Sequence, residues 1–206
     1  MISTVPNFLT LLRIALIPFI VVLYLTGAPG IWVAGVFLLT SATDWLDGFL
    51  ARRMNQISPF GAFLDPVADK LMIAVVLVML VSDRQVLNAT LSPSVFAVVI
   101  AIIIGREIAI SALREWMAEI GNRTRVTVNQ MGKVKTTVQM IAITLLLYQH
   151  DLWIVPVFRV GEVLLYTAAM LTLWSMISYL RAAWPALNGF GTVSYTHLTL
   201  PTICSV

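Results

Sequence analysis

Four aspartates, Asp44, Asp47, Asp65 and Asp69, account for four of the ten acidic residues in this 206-residue chain. Asp44 and Asp47 are three positions apart, and Asp65 and Asp69 are four apart. In an α-helix, either spacing puts both side chains on one face. Because only a short connection separates the two segments, we expect antiparallel neighbouring helices whose acidic faces meet, with the four carboxylates around one spot.

Carboxylates held this close together need positive charge beside them. No Cys or His lies nearby, so the donors are oxygens only, which favours Mg²⁺ or Mn²⁺ over Zn²⁺. Four carboxylates suit two such ions about 3.5–4 Å apart, an arrangement used in phosphoryl chemistry. Gly48 and Ala51 follow Asp44 on the same helical stripe and leave a hollow, and Arg52 at its rim can bind a phosphate. Helix packing is the alternative interpretation of such small residues.

The elements that hold these residues are predicted to be membrane-spanning helices. The chain is 59% hydrophobic and only 11% charged, with a mean hydropathy of +0.92, whereas soluble domains carry roughly 25% charged residues. Six apolar segments have about the length needed to cross a bilayer as helices: residues 8–26, 31–53, 62–82, 93–117, 134–150 and 155–181. We therefore expect an all-α, polytopic bundle of six transmembrane helices.

The basic residues predict how this bundle is oriented. One end carries little beyond Arg84 and Arg159, and the other carries Arg52, Arg53, Arg114, Arg123, Arg125, Lys133, Lys135 and Arg181. The positive-inside rule places the basic end, both termini and the acidic site on the cytoplasmic side. We attribute the net charge of +3 to these loops and not to nucleic-acid binding.

The last residues of the chain differ from the rest. Residues 189–206 are uncharged and Thr-rich and have no helical periodicity. We therefore interpret residues 1–188 as one transmembrane domain and residues 189–206 as an unstructured or non-native tail.

The acidic segment resembles a known family. The pattern Asp-x2-Asp-Gly-x2-Ala-Arg-x8-Gly-x3-Asp-x3-Asp is typical of the CDP-alcohol phosphatidyltransferases, and this chain fills every position, at Asp44, Asp47, Gly48, Ala51, Arg52, Gly61, Asp65 and Asp69. Residues 6–13 resemble the family's N-terminal segment, which contributes to the nucleotide site. Residues 105–116 and 132–137 resemble the bacterial members that use glycerol 3-phosphate as the acceptor. The similarity extends from about residue 4 to residue 185.

The resemblance implies a fold, a reaction and a set of site residues. Asp44, Asp47 and Asp65 are expected to bind two divalent ions, Mg²⁺ or Mn²⁺, while Asp69 bridges them or acts as the general base. The CDP-lipid is expected to bind near Asn7, Thr10, Gly48, Ala51, Arg52, Ser58 and Gly61. The implied substrates are CDP-diacylglycerol and sn-glycerol 3-phosphate, and the implied protein is a homodimer in the bacterial inner membrane.

An acceptor that carries a phosphate needs cations. The candidates are Arg106, Arg114, Lys133 and Lys135. Arg106 is the strongest of them, because an arginine within a span faces a cavity or a partner. Its alternative role is an ion pair with Glu107 or Glu115, and the two lysines could be ordinary loop charges.

Two other functions are compatible with the same residues. A related transferase could use serine, inositol phosphate or phosphatidylglycerol as its acceptor. A divalent-cation or proton transporter could use the aspartates as its pathway, although acids clustered at one membrane face suit a bound nucleotide better than a path across the membrane.

Overall fold

The computed structural model describes residues 5–54, 59–119, 130–149 and 156–188. Within these ranges, side chains are described at 10–43, 61, 64, 66–117, 134–149, 156–181 and 184. The described residues form helices and no strands, which confirms the all-α prediction. The helices are α1 (Val5–Leu25), α2 (Gly30–Met54), α3 (Pro59–Ser82), α4 (Arg84–Ala89), α5 (Pro93–Glu119), α6 (Gln130–Tyr148) and α7 (Val157–Asn188).

Each of the six apolar segments coincides with one long helix, and α4 is an additional short helix that the apolar pattern does not predict. Asp83 caps it, since its Oδ1 accepts a hydrogen bond from the backbone N–H of Gln85 at 2.7 Å. Gly27-Ala28-Pro29-Gly30, a sequence typical of a turn, follows α1. Gly27 has a φ of +70°, and Gly27 and Ala28 donate to the carbonyl oxygens of Tyr24 and Leu23, which is a Schellman motif.

Helix contacts determine which segments can share a site. α1 packs against both α2 and α3, α2 packs against α6, and α7 packs against α5 and α6. The described residues show no α2–α3 interface of comparable size. The predicted meeting of the acidic faces involves Asp44, Asp47 and Asp65, whose side chains lie outside the described part, so it stays a prediction. The short connection between α2 and α3 keeps these helices near each other. It does not determine that α1 packs against both of them.

Apolar and polar buried residues occupy different halves of the bundle. The main apolar core, which includes Phe37, Leu77, Phe96, Leu146 and Leu165, lies toward the C-terminal ends of α1, α3 and α6 and the N-terminal ends of α2, α5 and α7. Most of the buried polar residues lie in the opposite half: Thr10, Arg13, Arg106, Lys135, Gln139, Thr172 and Ser175. Buried polar groups are costly unless paired, so their concentration in one half marks that half as the place to look for a site.

A glycine permits a close helix contact in the apolar half of the bundle. A Cβ at Gly30 would meet the carbonyl oxygens of Leu147 and Tyr148 at well under van der Waals distance. The first residue of α2 can therefore lie against the end of α6 only if it has no side chain.

Two carboxylates form hydrogen bonds between elements in the apolar half of the bundle. Asp83 accepts a hydrogen bond from the Tyr24 hydroxyl at 2.6 Å. Glu162 is completely buried and accepts from the Leu91 N–H at 2.9 Å, from the Tyr166 hydroxyl at 2.7 Å and from Arg159 at 3.0 Å. These bonds tie α1 to the α3–α4 junction, and α7 to the segment before α5.

Surface composition indicates association with a membrane. Pro93–Met117 and Val157–Arg181 are long and apolar enough to cross a bilayer, with mean hydropathies of 2.2 and 1.6. Large apolar side chains are exposed on several helices, including Trp32 at 65%, Met170 at 70% and Trp174 at 67%. Soluble monomers rarely expose extended apolar surface of this kind. The number of spans and their orientation stay predictions.

Candidate active site

Asp69, the predicted base or metal-bridging residue, is held by an arginine from another helix. Arg13 of α1 donates from one terminal nitrogen to Asp69 Oδ1 at 2.6 Å, and its side chain is 1% exposed while that of Asp69 is 40% exposed. A charge-assisted bond this short fixes the orientation of the carboxylate. Arg13 was not among the predicted site residues. The signal that could have found it is its position as the one charged residue of the apolar segment 8–26, since such residues face partners or cavities.

The other predicted metal ligands are described at the level of the backbone. α2 is helical through Asp44 and Asp47, and α3 is helical through Asp65 and Asp69, so the helical premise of the spacing argument is met. The side chains of Asp44, Asp47 and Asp65 lie outside the described part. Among the side chains that are described, no group of three or more His, Cys, Asp or Glu residues could hold a metal ion. The two-ion site stays a prediction.

The predicted CDP-lipid residues are described only in part. Thr10 is 1% exposed on α1, three residues before Arg13 and therefore on the same helix face. Gly61 is buried near the start of α3. Gly48, Ala51 and Arg52 belong to α2 and Asn7 to α1, with side chains beyond the described set, and Ser58 lies outside the described residues.

A group of cations occupies the polar half of the bundle. Arg106 of α5 is 8% exposed and Lys135 of α6 is 2% exposed. Arg106 donates to Ser175 Oγ of α7 at 2.7 Å and to Glu107 Oε1 at 3.2 Å. Lys135 donates to the same Glu107 oxygen. Three helices thus converge on one carboxylate and two buried cations.

A tyrosine extends this group to a third cation. Arg114 donates to the Tyr179 hydroxyl at 2.8 Å, and its guanidinium carbon lies 5.0 Å from the centre of the Tyr179 ring. The guanidinium carbon of Arg106 lies 6.0 Å from the same ring centre. Both distances are within the range in which an aromatic face attracts a cation. Tyr179, which the sequence analysis did not single out, therefore positions two of the predicted acceptor-binding arginines.

Lys70 connects the two groups of charges. It follows Asp69 directly, and its Nζ donates to Ser111 Oγ of α5. Two consecutive residues of α3 therefore bond in different directions, Asp69 to α1 and Lys70 to α5. We refer to Lys70, Arg106, Arg114 and Lys135 as the basic cluster. Lys70 was not predicted to belong to the site, although a lysine beside an acid in a mostly apolar helix was a usable signal.

The predictions for the four acceptor-binding candidates are confirmed to different extents by the structure. The structure brings Arg106, Arg114 and Lys135 together, whereas the Lys133 side chain is outside the described part. The interpretation of Lys135 as a loop charge is wrong, because it is buried within α6. Arg106 does pair with Glu107, the alternative considered for it, but it also bonds Ser175 and lies near Tyr179.

Comparison with known proteins identifies one family and relatives that share one name. The chain matches the family model described as CDP-alcohol phosphatidyltransferase over residues 3–174. It is 48% identical over 183 residues to a protein of Salmonella choleraesuis (strain SC-B67), 49% identical over 181 residues to one of Salmonella typhimurium (strain LT2), and 48% identical over 183 residues to one of Escherichia coli (strain K12). Each alignment covers 87% of this chain and 94% of the relative. All three relatives are named CDP-diacylglycerol–glycerol-3-phosphate 3-phosphatidyltransferase.

Proposed function

This chain belongs to the CDP-alcohol phosphatidyltransferase family, and from that premise we propose that it transfers the phosphatidyl group of CDP-diacylglycerol to sn-glycerol 3-phosphate. The products are phosphatidylglycerophosphate and CMP. The structural observation that carries the choice of acceptor is the basic cluster, in which a buried arginine and a buried lysine lie around one carboxylate. Such cations favour an acceptor that brings its own phosphate over serine. Among phosphate-bearing acceptors, the names of the relatives favour glycerol 3-phosphate. The transporter alternative has no support from the family match.

We assign a separate role in the reaction to each of the described residues of the site. Arg106 and Lys135 hold the phosphate of the acceptor through charge-assisted bonds, which positions its free hydroxyl for attack. Asp69, oriented by Arg13, accepts the proton of that hydroxyl as a general base. The hydroxyl oxygen bonds to the phosphorus on the lipid side of the diphosphate, the bond from that phosphorus to the CMP oxygen breaks, and CMP leaves with the electron pair. No covalent enzyme intermediate is required.

The aspartates suit divalent ions in chemical terms. Asp44, Asp47, Asp65 and Asp69 offer oxygen donors only, the set that Mg²⁺ and Mn²⁺ prefer. When bound, two such ions neutralise the diphosphate and stabilise the charge that develops on the departing CMP. On the same proposal, Asn7, Thr10, Gly48, Ala51, Arg52, Ser58 and Gly61 line the CDP-lipid site.

A substrate panel tests the function directly. Full-length protein purified in detergent is supplied with CDP-diacylglycerol, MgCl₂ and one alcohol at a time: glycerol 3-phosphate, glycerol, serine, inositol 1-phosphate or phosphatidylglycerol. CMP release is expected with glycerol 3-phosphate, is lost in EDTA, and returns with added Mg²⁺ or Mn²⁺. Release with serine or phosphatidylglycerol in its place would assign the chain to a different acceptor, and full activity in EDTA would remove the metal proposal.

The placement of the protein is proposed on the same basis. Six helices span a bacterial inner membrane, both termini are cytoplasmic, and the protein is a homodimer. The catalytic domain ends by Asn188. A chain that stops there should keep full activity, and a large loss of CMP release in that truncated protein would show that the tail contributes.

A further inference from the structure

Glu107 is the acidic residue at the centre of the basic cluster. Its Oε1 accepts from the Nζ of Lys135 and, at 3.2 Å, from a terminal nitrogen of Arg106. Its side chain is 25% exposed, whereas the side chains of Lys135 and Arg106 are only 3% and 7% exposed, so the carboxylate is the most accessible of the three groups. One carboxylate oxygen therefore accepts from donors of both cations.

Glu107 acts as the counter-ion of Arg106 and Lys135. Two buried cations without an anion would be costly in an apolar bundle, and Glu107 offsets their charge when no ligand is present. The acceptor phosphate brings negative charge to the same nitrogen atoms. Phosphate and the Glu107 carboxylate are like charges, and placing them side by side is unfavourable.

We propose that Glu107 sets an affinity threshold at the acceptor site by competing with phosphate for Arg106 and Lys135, so that simple inorganic anions bind weakly there. An acceptor then binds only when the rest of the molecule adds contacts that offset the competition. This inference rests on the proposed function, because it takes Arg106 and Lys135 as the residues that bind the acceptor phosphate. It assigns to Glu107 a role distinct from holding the helices together.

Direct binding of inorganic phosphate tests the inference without turnover. Full-length protein in detergent, with EDTA to keep divalent ions from the aspartates, is titrated with inorganic phosphate by calorimetry. Glu107→Gln removes the charge and keeps the shape, and it should lower the Kd for phosphate on the order of tenfold. Glu107→Asp keeps the charge and should stay within about threefold of the unmodified protein. Glu115→Gln is the matched control, since Glu115 is an exposed glutamate further along α5, and it should leave the Kd unchanged.

Kinetics give a second and independent measurement. Glu107→Gln should lower the KM for glycerol 3-phosphate, whereas a purely structural Glu107 would raise it by releasing Lys135 and Arg106 from their positions. In the unmodified protein, inorganic phosphate should compete with glycerol 3-phosphate with a Ki at least about tenfold above the KM. This last test needs no variant, so it stands even if Glu107→Gln does not fold.

The outcomes separate the two proposals. An unchanged or weaker affinity for phosphate in folded Glu107→Gln, or a phosphate Ki close to the KM in the unmodified protein, overturns the role of Glu107. Absence of CMP release with glycerol 3-phosphate overturns the proposed function, whatever the phosphate titrations give.

Discussion

The ion pair between Arg13 and Asp69 should contribute to both stability and catalysis, and a double-mutant cycle can separate the two. Arg13→Met and Asp69→Asn each remove one charge, and the double variant removes both. Pairs between exposed groups are worth about 0–1 kcal/mol, whereas hydrogen bonds to charged groups in less exposed settings contribute about 1.5–3 kcal/mol. Arg13 is 1% exposed and Asp69 is 40% exposed, and the bond is 2.6 Å long, so we expect a coupling free energy of about 2 kcal/mol.

The cycle is measured on full-length protein in mixed micelles. Unfolding by added SDS, followed by tryptophan fluorescence, gives the free energy of unfolding for the four proteins. CMP release gives kcat for the same preparations. Asp69→Asn should abolish most turnover, because it removes the base. Arg13→Met should lower kcat about 10- to 100-fold, because a small displacement of the carboxylate is enough to spoil the geometry of attack. The double variant should regain stability relative to the sum of the single losses but should stay inactive.

A second ion pair supplies the control for this experiment. Arg159 and Glu162 lie 3.0 Å apart with 45% and 0% exposure, so this pair also joins one buried and one half-exposed group, at the opposite end of the bundle. Its cycle should show a comparable coupling energy with unchanged kcat. A coupling energy below about 0.5 kcal/mol for Arg13 and Asp69, or a normal kcat in Arg13→Met, would refute the positioning role.

Three further changes have definite expectations. Arg106→Gln should raise the KM for glycerol 3-phosphate about 10- to 100-fold, the loss of a charged hydrogen bond worth about 1.5–3 kcal/mol, with little change for CDP-diacylglycerol. The exposed Arg84→Gln serves as its control, and equal effects of the two variants would contradict the site. Tyr179→Phe keeps the ring but removes the hydroxyl that Arg114 bonds, so the same KM should rise by a factor of about 2–10. Gly30→Ala should destabilise the protein by about 1–3 kcal/mol through its clash with α6 in the SDS assay. Gly35→Ala meets nothing within 4 Å and should cost nothing, so similar losses in both would disprove the close contact.

Much of the fold follows from patterns within single segments. Each of the six apolar segments is a helix because its composition and length favour one, and the turn at Gly27 forms because a glycine readily adopts the positive φ that a Schellman motif needs. α4 was missed because six residues are too few for a periodic pattern, and because its start depends on the local cap supplied by Asp83. The packing of α1 against both α2 and α3 was not predicted, because connectivity along the chain does not determine which helices lie side by side.

The residue types and their spacing predicted phosphoryl chemistry, and the resemblance to a known family supplied the specific reaction. Acids at helical spacing, a glycine–arginine stripe and cations in apolar segments indicate a phosphate-handling membrane enzyme, because each such residue is costly in that setting unless it has a function. Spacing along one helix determines which side chains share a face, and it says nothing about the helix that the face meets.

Only the tertiary structure decided which charges became partners. It paired Arg13 with Asp69, turned Lys70 toward Ser111, and placed one oxygen of Glu107 between Arg106 and Lys135. These contacts join residues up to 56 positions apart, and they depend on how the helices settle around the apolar core. Side-chain packing summed over the whole bundle sets those lateral positions, so no single segment of the sequence contains them.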